Sequence, residues 1–389
     1  MSGLPEPEQE ALKHSLDLYH RIREEILHNN SISFFRYMQM ALYEPGLGYY
    51  SAGASKIGKA GDFITAPELS SLFTKCLARQ CLQIITETRQ PVIIEIGPGT
   101  GVMMCDLLQT LEEKNALPEK YMVLETGADL RYRQQKLVRS RIPHLESRIE
   151  WLDSLPEDTF NGIIIGNEVI DAMPVHRLIF QNGKFNELCV VLDNGKLDWI
   201  VKSAEDPLQS RVQTILSDYI PGLPEGYRTE MNLQIESWIA SLAKLLERGV
   251  MLFIDYGYPR HEYYHPQRTD GTLLCHYRHY VHSDPFFHPG LQDITASVDF
   301  TTVAEAADHA GLRVTGYTTQ AHFLMNCGLE EVMNENDLIS SQDRAELGRQ
   351  ARLLTMPGEM GERFKVIALN RNLDVPLTGF QHFDQRQRL

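Results

Sequence analysis

The segment VIIEIGPGTG sets a carboxylate, Glu95, two residues ahead of alternating glycines at Gly97, Gly99 and Gly101. Glycine tolerates positive φ and leaves the backbone bare, so a ligand can lie directly against the chain there. An apolar strand that ends this way and feeds a helix is the first βα turn of a nucleotide-binding sheet, whose ligands sit beyond the carboxyl ends of the strands. The spacing is G-x-G-x-G, not the G-x-G-x-x-G that seats a pyrophosphate on a helix N-terminus. An acidic side chain at Glu95 would repel a pyrophosphate and favour a ligand bearing an ammonium or a sulfonium. S-adenosylmethionine carries both. Its ribose hydroxyls call for a carboxylate at the end of the next strand, and Glu125 in YMVLE stands there. Its adenine calls for a polar group beyond the third strand, where Asp153 lies in EWLDSL. A glycine turn that only packs a helix on a sheet is the plainer alternative.

A second cluster lies in IIIGNEVIDAMP, where Asn167, Glu168 and Asp171 place an amide and two carboxylates at the end of a later strand, beside the methyl donor. Carboxylates activate an alcohol poorly, but they orient a guanidinium through bidentate hydrogen bonds and balance its charge. Arginine is a poor nucleophile because its charge is delocalised. Positioning it in line with a methyl donor is therefore the main service a protein can offer. Asn167 or Asp171 could equally open a short helix as an N-cap.

These side chains need a scaffold. Continuous apolar runs at 91–97, 120–126, 148–152, 161–167 and 249–257 read as parallel strands buried on both faces, alternating with helices at 102–114 and 128–140. Runs at 312–319 and 364–370 complete a doubly wound α/β sheet of about seven strands. Upstream, helical periodicity covers 8–28 and 31–42, with Ser31 or Ser33 as cap. A glycine-rich stretch follows, and then a helix from about Glu68 to Glu87. Within 175–248, apolar runs joined by Asn182–Gly183 and Asn194–Gly195 read as hairpins of an inserted antiparallel subdomain; 258–300 is a loop-rich insertion. The division expected is an N-terminal helical and lid segment (1–88), a Rossmann-like domain (89–174 and 249–370), the inserted subdomain (175–248) and a C-terminal tail (371–389).

Composition narrows the partners. A net charge of −15 over 389 residues opposes nucleic-acid binding, which relies on Lys and Arg, and favours a basic partner. The six cysteines are scattered without a CxxC pair, which argues for a reducing compartment and against a disulfide framework or a zinc site. No metal is expected from the histidines between His261 and His288, which lack ligand spacing. The acidic start lacks an apolar stretch, and no run approaches the roughly 20 residues that span a bilayer. A cytoplasmic bacterial protein without a membrane partner is the expectation.

The motifs YMQMALYEPGLGYY, GDFITAPELS, EIGPGTG, NEVIDAMPVHR, FIDYGY, GTL and PGLQDITASVDF together resemble the MidA family of S-adenosylmethionine-dependent methyltransferases. These are relatives of the mitochondrial arginine methyltransferase that assists complex I assembly. The resemblance runs from about Ile32 to the last strand. It implies a class I methyltransferase sheet with inserted elements and S-adenosyl-L-methionine as cofactor. It further implies methylation of arginine in a protein substrate, a respiratory complex subunit or another bacterial protein. By position, Glu95 and the three glycines would hold the methionine end, Glu125 the ribose, and Asn167, Glu168 and Asp171 would flank the acceptor. The segment Gly61–Thr65, with Asp62 and Thr65, would fold over the cofactor as part of a lid, or else form an ordinary turn. Thr126–Gly127 replaces a Ser-Pro pair common in relatives, and Val169–Ile170 an aromatic or leucine. A small-molecule O- or N-methyltransferase and a non-catalytic assembly factor stay open as alternatives, and so does a homodimer.

Overall fold

In the computed structural model, residues 4–52, 64–335 and 340–389 are described. The strands of the central sheet are β1 (Val92–Ile96), β2 (Lys120–Leu124), β3 (Ile149–Leu152), β4 (Phe160–Asn167), β5 (Leu246–Tyr258), β6 (Arg313–Thr319) and β7 (Phe364–Arg371). Their order is β6-β7-β5-β4-β1-β2-β3, with β7 antiparallel to both neighbours and β1 to β5 parallel. An eighth, two-residue strand, Val298–Asp299, pairs with the end of β5. The order reverses between β1 and β4, which opens a crevice at their carboxyl ends.

The run Ile163, Ile164 and Ile165 in β4 is fully buried, because helices cover both faces of the sheet. On one face pack α1 (Ser71–Thr86) and α2 (Val102–Glu113), whose Phe73, Leu77 and Leu108 meet Ile93, Ile163 and Ile165. On the other, Ile235–Leu245 and Phe300–His309 bury Ile239 and Phe300 against Ile94, Ile164 and Phe253. Each fully buried side chain of this size contributes roughly 1.5–3 kcal/mol, so a polar residue in these runs would unseat the turns above them.

Several elements depart from the pattern in the sequence. The helix expected from Glu68 to Glu87 is broken: Ala66–Leu69 and α1 are separated by Ser70, which is extended at φ −161° and ψ 136°. Its hydroxyl accepts from Leu72 N and donates to Gln350, a cap that starts α1 anew. Ser33 caps Phe34–Tyr43 through Arg36 N, but Ile32–Ser33 is itself a strand paired with Cys189 and Val190. The N-terminal helices and the inserted hairpins thus share one antiparallel sheet and one core. Both Asn-Gly turns have positive φ at each residue, 53° and 75°, then 48° and 76°, the conformation a tight hairpin requires. The stretch 258–300 contains a three-stranded sheet of Leu274–Tyr277, Tyr280–His282 and Asp293–Thr295. Beyond β7 the chain packs back, with Phe380 against Gly316 and Phe323.

Among the described residues no helix is long and apolar enough to cross a membrane, and no group of three or more His, Cys, Asp or Glu is arranged to hold a metal ion.

Candidate active site

The glycine turn after β1 has the backbone its composition demands. Gly97, Gly99 and Gly101 lie at φ 61°, 56° and 84°, where a side chain is strained. The Gly97 N–H donates to Leu124 O at 3.0 Å, and the Gly101 N–H to Pro98 O at 2.9 Å. A Cβ on Gly101 would stand 3.1 Å from Gln134 Cγ. Glu95, 1% exposed, points into the same space. The Tyr121 hydroxyl donates to its Oε2 at 2.6 Å, while Oε1 is buried without a partner among the described residues. Removal from water lifts this carboxyl to about 7, against the pull of the Tyr121 bond.

Glu125 ends β2 facing the same space. Its Oε1 accepts from Gly127 N at 2.7 Å and its Oε2 from Gln134 Nε2 at 3.1 Å. Burial raises its carboxyl, and these bonds oppose the rise. Gln134, on the helix Ala128–Arg141, ties the corner together. Its amide also donates to Gly99 O at 2.8 Å, and its carbonyl accepts from Trp151 Nε1 at 3.0 Å. Tyr43 and Tyr50, from the start of the glycine-rich stretch, stack at 5.5 Å along another wall. Thr65 lines the space just ahead of Ala66–Leu69, and Glu68 accepts a hydrogen bond from the Thr100 hydroxyl. Asp62 lies outside the described residues. Asp153 is not brought into the space: its side chain is 91% exposed and bound to Arg131 at 2.6 Å. Beyond β3 the chain turns outward, where this carboxylate keeps its hydration and an arginine partner.

The loop after β4 is held from below. Glu168 sits at φ 54°, a left-handed conformation that costs about 1–3 kcal/mol outside glycine and concentrates at functional sites. Its N–H donates to Ile254 O at 2.8 Å. The Oδ2 of Asp255, in β5, accepts from the backbone N–H groups of Val169, Ile170 and Asp171 at 3.2, 2.9 and 3.2 Å. Thus neither Asn167 nor Asp171 caps this turn; Asp255 does. Asn167 Nδ2 donates to Glu168 Oε1 at 3.2 Å. Burial, with Asp171 adding repulsion, pushes Glu168 up to about 8. Asp171 and Asp255 are both raised by burial, and their mutual repulsion adds to the effect on Asp255.

These groups converge on one cavity of about 240 Å³ at the carboxyl ends of β1, β2 and β4. Carboxylates reach it from Glu68, Glu95, Glu125, Glu168, Asp171 and Asp293, and among the described lining residues there is no Lys, Arg or His. Their raised carboxyls hold protons while the cavity is free of ligand, and a cation arriving there favours their ionised forms and balances the wall. Bare glycine backbone, an orphaned Glu95 oxygen and a carboxylate at the end of β2 fit an adenosyl donor with an ammonium and a sulfonium. Sequence reasoning missed Gln134, Asp255, Asp293 and the two tyrosines as parts of the site. The motifs FIDYGY and PGLQDITASVDF held the only signal for the two aspartates, and it named no role.

A family model described as S-adenosyl-L-methionine-dependent methyltransferase matches residues 76–318. A mitochondrial protein arginine methyltransferase NDUFAF7 homolog of Drosophila melanogaster is 30% identical, covering 97% of this chain and 91% of its own. The Danio rerio protein arginine methyltransferase NDUFAF7 is 28% identical over 90% of this chain and 85% of its own. A Burkholderia thailandensis protein crystallised with S-adenosyl-homocysteine is 40% identical, with a TM-score of 0.94 and 100% of both chains covered. The chain belongs to this family of S-adenosyl-L-methionine-dependent methyltransferases, and S-adenosyl-L-methionine is its cofactor.

Proposed function

We propose that the chain is a protein arginine N-methyltransferase. The observation that carries this reading is the pair Glu168 and Asp171 on a strained loop at the edge of the cofactor cavity, with no cationic side chain on the described lining of that cavity. Two such carboxylates suit a planar guanidinium, which presents five N–H donors in a fixed fork. The names of the 30% and 28% identical relatives support the same acceptor, and a net charge of −15 favours a basic target segment. The acceptor belongs, in this reading, to a respiratory complex subunit or another cytoplasmic bacterial protein.

Glu95 and Glu125 bind the methionine and ribose ends, the glycine turn lets the donor lie against the backbone, and Thr65 closes one side. Bound there, the cofactor supplies a methyl carbon on a cationic sulfur, whose bonding pair returns to sulfur on transfer. Glu168 and Asp171 fix the guanidinium so that one nitrogen faces that carbon, and orientation of this kind lowers a barrier by several kcal/mol. The guanidinium, once bound, favours the ionised form of Glu168, and the proton lost by the methylated nitrogen then passes to that carboxylate, whose burial and Asp171 neighbour favour holding it.

Incubation with radiolabelled S-adenosyl-L-methionine and a lysate of cells lacking the protein tests this, with acid hydrolysis of the labelled bands. Methylarginine is the expected product. Label only in small molecules would replace the protein substrate with a metabolite, and no label with an intact cofactor affinity would point to an assembly factor.

A further inference from the structure

A second cavity, of about 450 Å³, lies on the other side of the loop after β4. It shares Glu168, Asp171 and Asp293 with the cofactor cavity, so the two spaces meet at three carboxylates. Asp293 comes from the three-stranded sheet, paired antiparallel with His276; directly opposite residues project on the same face, and both line the second cavity. The Tyr50 hydroxyl donates to Asp293 Oδ1 at 2.9 Å and fixes that carboxylate at the junction. Tyr256 and Phe364, edge to face at 5.5 Å, form an aromatic wall, while Leu274 and Arg363 are exposed and open one end to solvent.

One oxygen at this junction asks for a ligand. Asp171 is only 5% exposed and lines both cavities; the Tyr256 hydroxyl bonds to its carboxyl group, yet its Oδ1 has no hydrogen-bond partner among the described residues. A buried acceptor left unmade is costly, and an N–H-bearing cation arriving through the second cavity would satisfy it. The cofactor occupies the first cavity, so it cannot also be the group that enters by the second.

We infer that the second cavity is the acceptor channel: a guanidinium enters it from solvent between aromatic walls, and Asp293 positions it together with Glu168 and Asp171. The identity of the cation rests on the arginine reading above; the route and the role of Asp293 do not. Aromatic faces accept a planar cation, and a third carboxylate extends the bidentate clamp so that the guanidinium is held on more than one edge.

The test uses the full chain, radiolabelled S-adenosyl-L-methionine and the same lysate, with S-adenosylhomocysteine affinity measured by calorimetry in parallel. Asp293→Asn removes the charge, Ser297→Trp fills the channel from its wall, where Ser297 lines the second cavity with Thr295 and Gly257, and Asp293→Glu restores the charge. Methylarginine formation should fall about 100-fold in the first two variants, as expected for a misplaced reactant, and recover in part in the third. S-adenosylhomocysteine affinity should stay within about twofold throughout. Methylation within about threefold of wild type in both Asp293→Asn and Ser297→Trp would overturn the channel. A parallel loss of S-adenosylhomocysteine affinity would overturn it as well, by placing the residues on the cofactor side. Label on a residue other than arginine that both variants still abolish would remove arginine from the proposed function and keep the channel. A wild-type protein that binds S-adenosylhomocysteine and transfers no label would overturn both.

Discussion

Glu95 should lose a proton when the cofactor binds. In the free protein its carboxyl titrates at about 7, because burial outweighs the Tyr121 hydrogen bond. At pH 7 about half of the molecules therefore carry the proton. An ammonium arriving beside the orphaned Oε1 favours the ionised form and lowers the pKa by roughly 1–3 units. With a shift of about two units or more, binding should then release about half a proton at pH 7, about three-quarters near pH 6.5, and almost none above about pH 8.5. The sign carries over to affinity, which rises with pH across this window because protons compete with the ligand. Titrating S-adenosylhomocysteine calorimetrically at pH 7 in two buffers of different ionisation enthalpy reads the release directly. The apparent heats should differ by about half the difference between the buffer enthalpies. Identical heats in the two buffers, or the same release from Glu95→Gln, would refute the placement of the ammonium beside Glu95.

Three further outcomes follow from the same geometry. Glu95 and Glu168 are both raised, to about 7 and about 8; between the unfolded carboxyl value and these values the folded chain holds more protons than the unfolded one. Stability of the ligand-free protein should accordingly fall as pH rises from about 4.5 to about 8, which denaturation at pH 5 and pH 8 would measure, with a shallower slope in Glu95→Gln. Gln134→Leu removes the bonds to Gly99 O and Glu125 and strands Trp151 Nε1; a loss of about 2–4 kcal/mol in stability is expected, with at least about tenfold weaker S-adenosylhomocysteine binding, and unchanged affinity would separate Gln134 from the site. Gly101→Val forces a branched residue to φ 84° and places its Cβ 3.1 Å from Gln134 Cγ; strain of about 1–2 kcal/mol should appear in thermal melts, together with loss of cofactor binding.

What could be read from the chain was what depends on near neighbours. The strands around Ile93, Ile163 and Leu252 announced themselves by continuous apolar runs, because burial on both faces leaves no polar position. The hairpins announced themselves through Asn182–Gly183 and Asn194–Gly195, where few other residues tolerate the turn. The glycine turn, Glu125 and the Glu168–Asp171 loop, which line one cavity, were legible for the same local reason. Residues defined by distant pairing were not. Asp255 is one strand over from the loop it clasps, and Asp293 reaches the junction only because 274–277 pairs with 293–295. Gln134 gave no sign in a helix with little apolar patterning. Asp153 fitted the position expected of an adenine contact, but its side chain finds Arg131 and solvent instead. The break at Ser70 escaped notice because its neighbours suit a helix and only the contact with Gln350 shows why it is extended.

The assignment of opposite sides to donor and acceptor is tested most directly by Glu168→Gln, measured for S-adenosylhomocysteine affinity and for methyl transfer in the same preparation. Affinity equal to wild type with methylarginine formation abolished is the expected pair of results. Affinity lost together with turnover would put Glu168 on the cofactor, and full turnover would leave the guanidinium without its clamp.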